Sequence, residues 1–158
     1  MRVAGAISVH RLNQFGIIPR TAPGLLGIPV SPLLHVSLSH ALLNTIPLVV
    51  LGAMIAAYSP RSFIKVSIAV ALVGGIGVWL FARAGSHVGA SGLIFGYLGY
   101  VIARAFFERK MLSILLACVA IFLFGGLIYG VIPTSAGISW EAHLLGFLAG
   151  AGFARHEH

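Results

Sequence analysis

The sequence predicts an all-α polytopic membrane protein, a single bundle of five transmembrane helices, and three observations predict it. Hydrophobic residues make up 59% of the 158 positions and charged residues only 8%, where a soluble domain carries roughly 25% charge. The mean hydropathy is +1.03. The apolar residues gather in long runs separated by short turns, as spanning helices require. A chain this poor in charge cannot cover a water-facing globule, which excludes a soluble enzyme. It is also too hydrophobic for disorder.

The elements follow in order. Residues 1–31 are turn-rich, with Pro19, Pro23, Pro29, Gly24 and Gly27. They read as an outer N-terminal loop region, and residues 32–158 as the transmembrane core. Val3–Val9 is too short and too rich in glycine and serine for a secretory core. Five apolar segments come next, over about 33–58, 62–82, 88–107, 111–132 and 139–154. A span needs about 20 residues, so the first four are long enough and the last is short. Pro60, Gly85–Ser86 and Pro133–Thr134 fall in the turns between them. Connections this short impose an antiparallel up-and-down order.

Ten Lys and Arg stand against three acids. The cations punctuate the apolar runs and form no stripe interleaved with aromatics, so nucleic acid is not an expected partner. Six of them (Arg61, Lys65, Arg104, Arg109, Lys110 and Arg155) fall on one side and four (Arg2, Arg11, Arg20 and Arg83) on the other. That bias predicts a cytoplasmic C-terminus and an outer N-terminal region. The lone Cys118 excludes an intramolecular disulfide and reads as a small buried residue.

Polar residues able to do chemistry are confined to odd-numbered spans, near the ends where those spans start: His35, His40 and Asn44, then Ser91, then Glu141 and His143. Intramembrane ionisable groups are costly, and functional by default. Ser91 in Gly89-Ala-Ser91-Gly92 is either a helix-capping serine or a hydroxyl beside free backbone N–H groups that favour developing negative charge. His143 is followed by Gly146, Gly150 and Ala154 at four-residue spacing, and Ser91 by Gly92 and Gly96. Facing small-residue stripes would bring these helices together and set a nucleophile beside a base. A histidine that ties two helices together is the alternative. His40 and Asn44, four apart, share a helix face and could direct N–H donors at one oxygen. A metal held by the histidines lacks an acid or cysteine at ligand spacing, so no metal and no other cofactor is expected.

Taken together, His40-x-x-x-Asn44, Gly89-x-Ser91-Gly92 and His143-x-x-Gly146-x-x-x-Gly150 resemble the rhomboid family of intramembrane serine proteases. The resemblance covers roughly residues 10–154, including a first outer loop around Gly16–Gly27. It implies a Ser91–His143 catalytic dyad, an oxyanion hole from the Ser91 N–H with His40 and Asn44, and a supporting role for His35. It also implies cleavage of transmembrane protein substrates within the lipid bilayer, here in a bacterial inner membrane. The chain contains no aspartate, in keeping with a dyad. Phe95 stands where many relatives carry tyrosine, and His10-Arg11 only loosely replaces a tryptophan–arginine pair. The family's bacterial core has six spans where this chain reads as five. A non-catalytic relative that binds transmembrane helices as chaperone or adaptor is the rival implication. A small channel would instead need polar residues along a path through both leaflets.

Overall fold

The computed structural model describes residues 13–133 and 139–157. Val3–Val9, His10-Arg11 and Thr134 lie outside them. Helix α1 (Ala22–Val30) is capped by Thr21, whose hydroxyl accepts from Gly24 N at 3.2 Å, and continues into a 3₁₀ turn, Ser31–Leu33. The expectation of a loop here is corrected. Its glycines are sites of close approach: a Cβ on Gly24 would overlap the Ile18 backbone, and one on Gly27 the Gly16 carbonyl. Proline in the first helical turn costs no hydrogen bond, so Pro23 does not oppose the helix.

Helix α2 (Leu38–Tyr58) starts at Ser37, whose hydroxyl accepts from His40 N at 3.1 Å. His35 therefore precedes the helix, where a span from residue 33 had been expected. One extended residue, Ser59, separates α2 from α3 (Pro60–Phe81) and caps it by accepting from Arg61 N and Ser62 N. Within α3, Val70–Gly74 forms a π turn. The end of α3 holds the segment before α1: Trp79 Nε1 donates to Thr21 O at 2.8 Å, and Arg20 Nη1 donates to Ala82 O at 2.9 Å. Helix α4 (Ser91–Glu108) ends at Arg109, a left-handed residue. Helix α5 (Met111–Phe124) tightens into a 3₁₀ stretch, Gly125–Val131, and α6 (Trp140–His156) closes the chain.

Helices α4 and α6 pack on each other more extensively than any other pair. The small-residue stripes mesh: Gly146 lies against the Gly92 carbonyl, Gly150 against the Gly96 carbonyl and Gly99 against the Phe147 backbone, each with no room for a Cβ. The core centres on Tyr100, Leu51, Ile55, Ile94, Val66 and Val101. Large apolar side chains such as Leu43, Leu72 and Phe122 point outward, as a surface solvated by lipid allows. Cys118 is exposed on this surface, not buried as its apolar context suggested.

Among the described residues, three helices are long and apolar enough to cross a bilayer: α2, α3 and α5 together with its 3₁₀ extension, Met111–Val131. Helices α4 and α6, two of the five expected spans, are not among them. α4 carries Arg104 and Glu108, and α6 has 17 residues and includes Glu141 and His143. Their partners within the bundle shelter these groups, so the sequence does not need to be uniformly apolar there. The protein is an all-helical integral membrane protein, with no strand among the described residues.

Candidate active site

The N-terminal ends of α2, α4 and α6 meet around a cavity of about 520 Å³, lined by His40, Asn44, Ser91, Phe95 and His143, among others. Side chains from three separate helices thus converge on one cavity at one end of the bundle.

Ser91 is the first residue of α4. Ala90 occupies the capping position, and the Ser91 hydroxyl caps nothing. Of the two readings open for Ser91, the capping one is not realised. The N–H groups of a helix's first turn have no intrahelical acceptor, so the hydroxyl stands beside unspent donors. The turn before it is built on Gly89, at φ +116°, a conformation that L side chains rarely adopt. Gly89 N donates to Ser31 O at 2.9 Å, which anchors the turn to the segment after α1.

His143 occupies the first turn of α6 and is buried. Its Nδ1 lies 2.8 Å from the carbonyl oxygen of Gly130 in the 3₁₀ stretch after α5. An acceptor there places the proton on Nδ1 and leaves the Nε2 lone pair free. The Phe95 ring, one helical turn after Ser91, stacks on the imidazole with centroids 4.2 Å apart and planes 5° from parallel. Two contacts therefore orient His143, one at its edge and one on its face. No hydrogen bond joins Ser91 to His143 among the described residues.

Asn44 is buried, and its amide nitrogen lies 3.3 Å from His40 Nε2. One amide hydrogen serves His40 and the second is free, so the two side chains are linked and do not both direct unspent donors at one point. The His40 ring abuts the Gly89 turn, where an added Cβ would come within 3.1 Å of its Cε1. His35 meets His40 edge-on, with centroids 5.5 Å apart, and is not among the residues lining the cavity. Gly92 and Gly146 line a smaller void behind Ser91, of about 40 Å³. Glu141 faces away from the histidine, toward Arg83: its carboxylate accepts from Arg83 N and lies 3.4 Å from Arg83 Nε.

Three residues of the site escaped the sequence reading. Gly130 supplies the acceptor for His143, and His87 and Ser139 line the same cavity. Ser139 precedes α6, as serine before an apolar run can signal, but His87 and Gly130 sit in connections whose course only packing decides. No cluster of three potential metal ligands occurs among the described residues.

A profile of the Rhomboid domain matches residues 24–156, a stretch that holds every side chain lining the cavity. Uncharacterized proteins of Mycobacterium tuberculosis and Mycobacterium bovis are 38% identical over 153 residues, 91% of this chain and 64% of theirs. An uncharacterized Mycobacterium leprae protein is 38% identical over 150 residues, 89% of this chain and 59% of its own. The chain thus spans less than two thirds of the length of these curated relatives. No solved structure matches it. Since the domain profile takes in α2 through α6 and the whole cavity, the chain belongs to the rhomboid family.

Proposed function

We propose that this rhomboid-family chain is an intramembrane serine endopeptidase that cleaves transmembrane segments of other proteins through Ser91 and His143. The observation that carries the reading is the convergence, on one cavity, of an uncommitted serine at a helix N-terminus and a histidine with an oriented, free Nε2. In the first step the Ser91 oxygen bonds to the scissile carbonyl carbon while His143 Nε2 takes the hydroxyl proton. The negative carbonyl oxygen is received by the Ser91 N–H and the free Asn44 N–H, with His40 holding the Asn44 amide through its Nε2. Collapse breaks the C–N bond, and the His143 proton leaves with the amine. Water then attacks the acyl-serine by the same route in reverse, restoring the hydroxyl. The Gly130 carbonyl holds the imidazole tautomer, the place an aspartate takes in a triad.

The same reading places the chain in a bacterial inner membrane with a cytoplasmic C-terminus, residues 1–31 forming an outer region and 32–158 the catalytic core. The test uses the purified protein in detergent, a transmembrane substrate and a serine-directed fluorophosphonate. Labelling at Ser91 is expected, and Ser91→Ala is expected to lose cleavage by roughly a thousandfold or more. Cleavage unchanged in Ser91→Ala overturns the assignment. Binding of transmembrane peptides with neither cleavage nor labelling identifies the non-catalytic helix-binding relative.

A further inference from the structure

The loop that delivers Ser91 and the helix that delivers His143 are joined by side chains outside the dyad. His87, buried four residues before Ser91, has both ring nitrogens occupied. Its Nε2 lies 3.0 Å from the Arg83 carbonyl oxygen, and its Nδ1 lies 2.5 Å from the Ser139 hydroxyl. A carbonyl can only accept, so Nε2 carries the proton and Nδ1 accepts from Ser139. The His87 backbone is also fixed, exchanging hydrogen bonds of 3.0 and 2.9 Å with Ile17. Ser139 stands at the capping position of α6, where serine ordinarily accepts from the helix's own N–H groups. Here its side chain makes no capping bond and turns to His87. Its carbonyl oxygen accepts from His143 N at 3.3 Å, so Ser139 and the proposed base share the first helical turn.

We infer that the His87–Ser139 hydrogen bond is a positioning strap that sets the depth and rotation of His143 against Ser91, rather than a general packing contact. The inference deepens the Proposed function and rests on its assignment of Ser91 and His143. The hydroxyl forgoes the capping bonds that favour serine at this position and spans 52 residues of sequence to reach the nucleophile's loop. A second tie runs beside it, from Arg83 to Glu141 in the same turn. That tie holds the loop's far end, four residues before His87, and serves as the control for a role in packing alone.

The experiment compares wild type, Ser139→Ala, Ser139→Thr and Glu141→Gln in detergent. It measures kcat and KM for a transmembrane substrate, the fluorophosphonate labelling rate of Ser91 and the thermal midpoint. Ser139→Ala is expected to lower kcat and labelling by roughly tenfold or more, with KM within about twofold and little change in midpoint. Ser139→Thr, which keeps the hydroxyl, is expected to restore both rates. Glu141→Gln is expected to lower the midpoint more than the rates. Wild-type rates in Ser139→Ala overturn the strap, as does a loss of rate that follows the midpoint and is not rescued by threonine. A second arm needs no activity. In a Cys118→Ala background carrying Ser91→Cys and His143→Cys, a short bis-reactive thiol cross-linker is expected to bridge the pair, and more slowly once Ser139→Ala is added. Equal bridging overturns the strap. A wild type that neither cleaves nor labels sinks the protease reading, while this arm still decides the strap.

Discussion

Gly89 and Gly130 flank the cavity, and each is glycine for a different reason. At Gly89 the backbone itself demands it, with φ at +116° and the His40 ring close behind. Gly89→Ala is expected to cost about 1–3 kcal/mol and to slow Ser91 labelling, measured by thermal unfolding and the fluorophosphonate probe. At Gly130 the constraint is space: a Cβ would lie 3.0 Å from His143 Nδ1 and 3.1 Å from Phe95 Cζ. Gly130→Ala crowds both contacts that orient the imidazole, so labelling is expected to fall roughly tenfold while the midpoint moves little. Phe95→Leu removes the stacked face and is expected to act in the same direction. Gly89 was legible in the sequence because it belongs to the motif around Ser91. Gly130 was not, since a glycine in an apolar stretch carries no mark of the histidine that will come to rest on its carbonyl.

At the scale of elements, the pairing of α4 with α6 decides whether a site exists. Each backbone sits where the other has no side chain, and Gly150 against the Gly96 carbonyl is among the tightest of these approaches. Gly150→Leu is expected to abolish the folded, probe-reactive state. Gly152→Leu, on the same helix with open space around it, is expected to change stability by no more than about 0.5 kcal/mol. Unfolding midpoints of the two variants check the contrast. The four-residue spacing made this pairing readable, because one helical face recurs near that period. The same local signals misjudged α1, where prolines and glycines read as turns proved to be a capped first turn and sites of close backbone approach. They were also silent on the π turn of α3, which carries Val70 against Gly96 and Gly74 against Gly146.

Across the whole molecule, the cavity at one end has a counterpart at the other. There Arg104 of α4 donates to Glu108 at 2.9 Å and to the Tyr100 hydroxyl, and it lies over the Tyr58 ring at the end of α2. Tyr100 and Ser62 donate to Glu157, just beyond α6, and Lys110 and Ser113 donate to Glu108. The network ties α2 through α6 together at the end of the bundle opposite the cavity. Arg104→Ala removes the guanidinium shared by Glu108, Glu157 and Tyr100 while leaving each carboxylate its other donors, and is expected to cost about 1.5–3 kcal/mol. Ser91 labelling well below the midpoint is expected to persist, because the cavity is built at the other end. A loss of labelling without loss of stability would contradict that separation.

What the sequence by itself determined was the membrane class, the helical content, the order of the motifs and the gathering of polar residues toward one end. Those follow from composition and helical period, which are local properties of the chain. Only the tertiary structure decided that Asn44 binds His40, that Ser91 is not a cap, and that Gly130 and Phe95 orient His143. It also showed that α4 and α6 are less uniformly apolar than lipid-facing spans because neighbouring helices shelter them. The joining of His87 to Ser139 belongs there too. Each of these depends on which surfaces meet after the helices pack, and a hydrogen bond between residues 52 positions apart leaves no periodic trace in the sequence.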